Sequence, residues 1–289
     1  MHRAAEVFGH STGKDTDRKR DATDDQRCPF TDERCQKVSQ HELMEGRDLQ
    51  FGVCSAHHSG RHHDGTVPYI ICPKRIEQDG IMFEDAARVL DDENNFEVLD
   101  EVTFEVGDFD FFVVNTDENG RVTDFCGLEP MMVSTTQTRG IIESLLDYLD
   151  EGSEFQNRYT YGINYRQVLG RMESQLFLKG SVVADMNEQM MWAVQDVFWE
   201  YILDNHPVQL EEGFDEEKPV GMVVYTLDGD PSSGYNVSRQ KEFWGDLDDW
   251  LSLLYPKVEF NREELRRKLT EKYGESVYGR FRRNSQSGV

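Results

Sequence analysis

The sequence predicts an α/β (α+β) protein in which helices flank a mixed sheet. Three strand-like stretches follow one another in the middle of the chain, at Phe96–Glu105, Phe109–Asn115 and Val122–Thr135. Apolar residues at helical spacing come next, and a further apolar strand is predicted at Gly221–Leu227. The chain has 289 residues, 37% of them hydrophobic, which is enough for one large domain or two modest ones.

Turn and spacing signals define the other elements. An Asn-Gly step at Asn119–Gly120 favours a tight reversal between the second and third strands. A short helix is predicted at Phe83–Leu90, and two more around Trp244–Leu254 and Glu263–Tyr273. Between them, apolar residues about one turn apart predict three amphipathic helices. The residues that define these three helices are Ile141, Leu145, Leu146 and Leu149, then Val168, Leu169, Met172 and Leu176, then Met190, Ala193, Val194, Val197, Phe198 and Tyr201.

Three regions are predicted along the chain. Residues 1–75 contain four of the five cysteines and only one clear strand, at Pro68–Cys72. A region with so few regularly spaced apolar residues needs another source of stability, and a metal bound within residues 28–75 would supply it. Residues 76–256 are expected to form the main core, and residues 257–289 a basic helix and tail.

The charge of the chain is strongly acidic and uneven. There are 56 acidic and 31 basic residues, a net charge of −25, with 21 Arg and only 10 Lys; this composition suits a salt-rich cytoplasm and predicts a halophilic source. Residues 1–75 have no net charge, residues 76–256 carry −29 and residues 257–289 carry +4. A generic nucleic-acid binder would be basic overall, so an anionic partner is expected only near the two ends of the chain.

No stretch of the sequence approaches the roughly 18 uncharged apolar residues of a membrane span. The first 20 residues also lack the apolar centre of a secretory signal. We therefore expect a soluble, cytoplasmic protein, in which cysteines are more often metal ligands or free thiols than disulfides.

Four of the five cysteines lie in the first region, at separations of 7, 19 and 18 residues. They are Cys28, Cys35, Cys54 and Cys72. Four thiolates are the usual ligand set of a closed tetrahedral zinc or iron site. The spacing is not that of a zinc ribbon, so buried unliganded thiols are the alternative. Nearby histidines are either competing ligands or part of a solvated loop: His57, His58, His62 and His63.

The short segments around these cysteines occur in a particular order. They are Phe8-Gly9-His10, Cys28-Pro29-Phe30, Cys35-Gln36-Lys37, Gly52-Val53-Cys54 and Ile71-Cys72-Pro73-Lys74-Arg75. In this order they resemble the N-terminal region of the NotI restriction endonuclease family, although the gap between the second and third cysteines is longer here. The resemblance implies that the four cysteines bind one structural metal, iron or zinc, in a small fold that touches DNA beside a catalytic domain.

Two carboxylates occur in apolar strands of the predicted sheet. Asp110 lies at the start of Phe109–Val114, and Glu129 lies in Leu128–Val133 on the neighbouring strand. A carboxylate in such a place must be hydrated, paired or bound to a cation. Two of them at this separation can converge on one ion, and oxygen ligands suit Mg²⁺, which polarises a phosphate and activates water. Acids at a strand edge that only face solvent are the alternative.

Downstream of the cysteine segments, the same acids match the short motif of the PD-(D/E)xK nucleases. The resemblance implies a restriction-endonuclease-like core in which Asp110 and Glu129 are catalytic and bind Mg²⁺, with the Pro130 carbonyl as a further ligand. It also implies a third catalytic acid before the Asp strand. Glu101 matches best, and Glu105 and Asp108 are rivals because the intervening loop is shorter here.

The sequence departs from this motif at its last position, which is usually Lys and in NotI is Gln. That position falls on Met131, two residues after Glu129 and on the same face of the strand. Methionine has no N–H or O–H to donate to water or phosphate. Either Gln137 or Arg139 from the following turn replaces it, or the active site is weakened, with Met131 a core side chain.

The predicted function is that of a type II restriction endonuclease, which hydrolyses phosphodiester bonds in both strands of a specific duplex DNA site with Mg²⁺. A homodimer is expected because palindromic sites match twofold symmetry, and a cognate DNA methyltransferase is an expected partner in the same system. The alternatives are a catalytically weakened DNA-binding relative and a metal-stapled protein without enzymatic activity.

DNA binding is expected to come from the first 75 residues and from the C-terminal tail, because the middle of the chain repels phosphate. The basic residues of the tail are Arg266, Arg267, Lys268, Lys272, Arg280, Arg282 and Arg283. A tail that is only a solvated end is the alternative, since acidic residues are interspersed there.

Overall fold

The computed structural model describes residues 3–13, 21, 23–60, 63–154, 159–255, 257 and 261–275. The strands in these residues are β1 (Arg3–Val7), β2 (His10–Ser11), β3 (Val53–Gly60), β4 (His63–Ile70), β5 (Glu97–Phe104), β6 (Gly107–Thr116), β7 (Val122–Met131), β8 (Thr135–Thr136), β9 (Gly162–Ile163), β10 (Gln189–Gln195), β11 (Val220–Asp230) and β12 (Gly234–Gly245). The helices are α1 (Pro73–Ile76), α2 (Ile81–Ala87), α3 (Thr138–Glu151), α4 (Tyr165–Asp185), α5 (Asp196–Asn205), α6 (Leu247–Trp250) and α7 (Arg262–Glu275). Met1–Pro256 is one compact unit and Lys257–Val289, which contains α7, is another.

A six-stranded mixed sheet runs through the first unit in the order β12-β11-β10-β7-β6-β5. The central strands β7, β10 and β11 are parallel, so that Trp192 of β10 pairs with both Glu129 of β7 and Met222 of β11. The antiparallel strands β6 and β5 continue the sheet on one side, and β12 closes the other. This mixed α+β architecture confirms the predicted fold class.

Alternate residues of the central strands fill two separate apolar cores. In β10, Trp192 and Val194 pack on one face with residues of α3, α4 and α5. Met191 and Ala193 pack on the other face with residues of α1 and α2. Both faces of the sheet are therefore covered. Parallel strands that are buried on both faces have apolar residues at nearly every position, which explains the apolar run in β10.

A second sheet, in the order β2-β1-β3-β4, packs against the first one within the same unit. The N–H of Ala4 donates to Ser144 Oγ of α3 at 2.7 Å. Gln195, at the end of β10, pairs with Ile70 of β4 as a strand would: its Oε1 accepts from the Ile70 N–H at 2.5 Å and its Nε2 donates to the Ile70 carbonyl at 2.8 Å. The cysteine region is therefore joined to the central sheet by buried hydrogen bonds.

Several predicted elements need correction. The apolar run at 190–195, predicted as helix, is the central strand β10, and the helix begins only at Asp196. A continuous buried run carries no period that separates helix from strand. The helix predicted around Trp244 begins later, at Leu247, because Trp244 lies in β12. The cysteine region also contains β3 in addition to the strand predicted near Pro68.

Some predictions fall on residues that the structure does not describe. His62 is one, and the end of the basic tail from residue 276, with Arg280, Arg282 and Arg283, is another. Among the helices of the described residues, none has both the length and the apolar character needed to cross a membrane.

Candidate active site

Glu129 of β7 is fully buried and has only one of its two carboxylate oxygens paired. Its Oε1 accepts a hydrogen bond from Lys179 Nζ at 2.5 Å and another from the backbone N–H of Asp110 at 3.3 Å. Its Oε2 is buried without a hydrogen-bond partner among the described residues. An unpaired buried carboxylate oxygen is costly unless something binds it.

Asp110 lies beside Glu129 on the neighbouring strand. In β6 the next residue, Phe111, pairs with Leu128, which precedes Glu129 in β7. The side chain of Asp110 is exposed. The structure thus brings together the two predicted carboxylates, one buried and one open to solvent.

The third predicted acid, Glu101, lies next to Asp110 on the edge strand β5. It falls between the pairs Asp100–Phe111 and Val102–Phe109, so the register puts it opposite Asp110. Its φ is 48°, in the left-handed region that a glutamate rarely adopts, and its side chain is exposed. Among its rivals, Asp108 uses its backbone carbonyl in the site, where it accepts from Lys179 Nζ at 2.5 Å.

Burial dominates the electrostatics of Glu129. It raises the pKa of this carboxyl from 4.5 to about 7, and the like charge of Asp110 adds to the rise. The hydrogen bond and positive charge of Lys179 oppose it. The group therefore changes charge near neutral pH, as is common in catalytic sites.

Lys179 is the functional residue that sequence reasoning missed. Helix α4 carries it, 3% exposed, across the sheet face to Glu129, and its ammonium also lies 4.8 Å from the ring centroid of Phe109. The signal was present, because Lys179 is the only lysine between Lys74 and Lys218 and falls on the buried face of α4 with Leu176 and Val183. A lysine on an apolar helix face needs a buried acid.

Met131 is a core side chain, 1% exposed, as predicted. Its sulfur accepts a weak hydrogen bond from Arg171 Nη2 of α4 at 3.6 Å. Among the described residues, neither Gln137 nor Arg139 has a hydrogen bond to the two carboxylates, and Arg139 pairs instead with Glu143 at 2.7 Å. The donor nearest the site is therefore Lys179.

The carboxylate pair fits a hard divalent cation. Glu129 Oε2 has no partner, Asp110 is beside it, and Pro130 follows in the same buried strand. Other buried polar atoms without a hydrogen-bond partner among the described residues include Trp192 Nε1, whose residue pairs with Glu129, and Gln175 Oε1, one helical turn before Lys179. Buried unsatisfied polar atoms are typical of a site that holds water or an ion.

The four cysteines lie in one neighbourhood at the base of the N-terminal sheet. Cys28 and Cys35 flank a tight turn, in which the Cys28 N–H donates to the Glu33 carbonyl at 2.7 Å. The Cys72 N–H donates to the Cys54 carbonyl at 3.2 Å. Burial raises the pKa of Cys54, and the negative charges of Cys72 and Cys28 raise it further.

Lys37 is the cation of this neighbourhood. Its Nζ donates to the Ile71 carbonyl at 2.7 Å, and its charge opposes the burial that raises the pKa of Cys72. Soft thiol donors suit zinc or iron. Among the described residues, however, no three His, Cys, Asp or Glu side chains are arranged to hold one metal ion, so ligation needs the thiols to move closer together.

The nearby histidines have other contacts. His57 is buried, its ring lies edge-on to Tyr235, and burial lowers its pKa to about 4. The ring of His58 lies 6.3 Å from that of Tyr69.

In the second unit, basic residues of α7 form ion pairs within the helix, with Arg267 to Glu271 at 2.5 Å and Lys268 to Glu264 at 2.9 Å.

A model of a known protein family matches most of the chain. The family model described as restriction endonuclease NotI matches residues 7–209. The matched span contains the four cysteines, both carboxylates and Lys179. No curated protein matches the chain.

Proposed function

The chain belongs to the NotI family of restriction endonucleases, whose substrate is DNA, and on that premise we propose that it is a type II enzyme. It hydrolyses phosphodiester bonds in both strands of a specific duplex site, with Mg²⁺ as the catalytic cation. The observation that carries this proposal is Glu129, a buried carboxylate with one unpaired oxygen beside Asp110.

Asp110 and Glu129 hold the cation, with the Pro130 carbonyl as a further ligand and Glu101 completing the acidic cluster. When bound, Mg²⁺ polarises the scissile phosphate and lowers the pKa of the attacking water. Asp110, which is exposed, faces the incoming substrate, whereas Glu129 is fixed from behind by Lys179 and by the Asp110 N–H. The carboxylates act by positioning and by charge, without a covalent intermediate.

Lys179 takes the place of the donor that Met131 lacks. An ammonium has three N–H donors, and two of them are used by Glu129 and by the Asp108 carbonyl. In the proposed mechanism the third donates to the attacking water or to a phosphate oxygen. This arrangement favours an active enzyme over the catalytically weakened relative.

The four cysteines form a structural zinc or iron site that helps the N-terminal sheet hold DNA. Elemental analysis of the purified protein should find about one metal ion per chain, since such sites contribute directly to folding. The variant Cys54→Ser should lose the metal and unfold this region, while Cys126→Ser, in the same strand as Glu129, should keep it. Native protein without metal and with four titratable thiols would contradict the site.

A homodimer and a cognate methyltransferase complete the proposal. Sedimentation of the protein with and without duplex DNA tests the first. The second is tested by the gene neighbourhood, where an adjacent DNA methyltransferase gene is expected.

The decisive experiment is cleavage of methylation-free genomic DNA by the full-length protein in Mg²⁺ or Mn²⁺, at high and moderate salt. Discrete fragments that end at one repeated sequence, and that disappear in EDTA, are the expected result. Binding of duplex DNA without any cleavage would leave the DNA-binding relative as the better account. If the protein neither binds nor cleaves DNA, a protein that is stabilised by a metal and has no enzymatic activity would be the better account.

A further inference from the structure

Arg171 lies beside the candidate active site and has no carboxylate partner among the residues that the structure describes. It lies on α4 and is exposed, and its only polar contact among the described residues is the sulfur of Met131, at 3.6 Å. A thioether is a weak acceptor, so most of the guanidinium donors are not used. An unpaired arginine is notable in a segment with a net charge of −29.

The contact with Met131 locates the guanidinium relative to the catalytic carboxylates. Met131 follows Glu129 by two residues on the same face of β7, about 7 Å along the strand. Lys179 follows Arg171 by eight residues, about 12 Å along α4. The two cations therefore lie along one side of the site, with Lys179 buried against Glu129 and Arg171 open to solvent beyond it.

We infer that Arg171 binds a phosphate of the DNA strand that is being cut. A guanidinium offers paired N–H donors that match phosphate oxygens in a bidentate way. DNA must approach two carboxylates in an acidic segment, and a free cation at the entrance offsets that repulsion. The Met131 sulfur, which accepts from Nη2 of Arg171 at 3.6 Å, helps to hold the guanidinium in this position. This inference rests on the proposed nuclease function, because it takes the strand to be cut at Asp110 and Glu129.

The test measures DNA binding separately from cleavage. Duplex binding is measured without added Mg²⁺, and without a chelator that would remove the structural metal, over a range of salt concentrations in which circular dichroism shows the protein folded. Arg171→Met, which removes the charge and keeps an unbranched side chain that suits a helix, should weaken binding about tenfold and reduce the slope of log K against log salt by about one. Arg171→Lys should keep the slope and lose part of the affinity, because lysine keeps the positive charge but lacks the paired N–H donors of the guanidinium.

Arg166→Met is the matched control. Arg166 is also exposed on α4 and has no polar partner among the described residues, but it lies on a different face of the helix. Its replacement should change neither affinity nor slope. Equal behaviour of Arg171→Met and Arg166→Met would overturn the inference even if the wild-type protein cleaves DNA. A lower slope for Arg171→Met in a protein that cleaves nothing would support the phosphate contact and reject the nuclease instead.

Discussion

Two buried carboxylates, in different sheets, are each paired with a buried cation. Glu6 of β1 and Arg75 of α1 are both 1% exposed and are joined at 2.9 Å. Glu129 and Lys179, at the central sheet, are 0% and 3% exposed and are joined at 2.5 Å. By burial and distance the two pairs are alike.

They differ in what surrounds them. Glu6 also accepts from Ser55 Oγ at 2.6 Å, and the remaining nitrogens of Arg75 donate to Gln78 and to the Tyr235 carbonyl. Glu129 instead has one oxygen without a partner and Asp110 as a like-charged neighbour. A fully satisfied network suits a structural role, whereas an incomplete one leaves room for a ligand. The difference predicts that the first pair governs stability and the second governs chemistry.

The largest effect is expected from the incomplete pair. Glu129→Gln and Asp110→Asn should each lower Mg²⁺-dependent cleavage by about 10³-fold or more, because each removes charge at the cation and almost no volume. Most DNA binding should be retained, and the fold should be retained at a lower stability in Glu129→Gln, because Lys179 then lacks its buried acid. Single-turnover cleavage and duplex binding measure the two parts. Cleavage at the wild-type rate by either variant would contradict the site.

Lys179→Met is expected to reduce cleavage by about 10²- to 10⁴-fold, because it removes a positioned donor. It also leaves Glu129 without its opposing charge, so the pKa of Glu129 should rise and the activity profile should move to higher pH. Lys179→Arg should recover part of the rate. The control is Lys218→Met, since Lys218 forms a surface pair with Asp246. A folded Lys179→Met protein with an unchanged pH profile would remove Lys179 from the mechanism.

Arg75→Met should act on stability instead. Breaking a buried ion pair from one side costs about 3–5 kcal/mol, so the midpoint of urea unfolding should fall sharply. Cleavage per folded molecule should not change. Arg139→Met breaks an exposed pair and should leave the midpoint of urea unfolding almost unchanged. Equal losses in the two variants would show that Glu6 and Arg75 are not a buried structural pair.

The pH dependence of stability separates the pairs more finely. The folded-state pKa of Glu129, about 7, lies above its ordinary value of 4.5, so the folded protein holds this proton more tightly than the unfolded chain does. The free energy of unfolding should therefore decrease as pH rises from about 4.5 to about 7, by up to about 3 kcal/mol. Added Mg²⁺ should oppose the decrease. Chemical unfolding of the wild type and of Glu129→Gln at several pH values measures how much of the pH dependence of the unfolding free energy comes from Glu129. If Glu129 has an ordinary pKa, the difference in unfolding free energy between the two proteins should not change between pH 4.5 and pH 7.

The smallest effect is expected at Met131. Met131→Gln introduces a polar group at a buried position, which costs about 1–2 kcal/mol, offset in part by Arg171 as a partner for the new amide oxygen. Cleavage should stay within about tenfold of wild type, because Lys179 already supplies the donor. Thermal unfolding and cleavage rates test both statements. A large gain in activity would mean that the strand position still needs its own donor.

The sequence was sufficient to predict the elements that have a clear period or turn. The hairpin strands β5, β6 and β7 were predicted from apolar runs and from the Asn-Gly step between β6 and β7, and the helices α3 and α4 from apolar residues at helical spacing. The strand β10 was not, since residues 190–195 are apolar on both faces. Asp110 and Glu129 were predicted as site residues because a carboxylate in an apolar strand is unusual and because both match the nuclease motif downstream of the cysteine segments. Lys179 was missed because its partner, 50 residues away, is reached only through the packing of α4 on the sheet.

The hydrogen bonds of Gln195 to Ile70 have a consequence for synthesis on the ribosome. The two residues are 125 positions apart, and at about 5–20 residues per second the second follows the first by roughly 6–25 s. The interval is longer for the hydrogen bond from Arg75 to the carbonyl of Tyr235, because Tyr235 is synthesised 160 positions later. During this interval β4 has been synthesised, but its hydrogen bonds with Gln195 of the central sheet cannot yet form. The N-terminal sheet therefore has to persist on the nascent chain without its buried hydrogen bonds to the central sheet during this time.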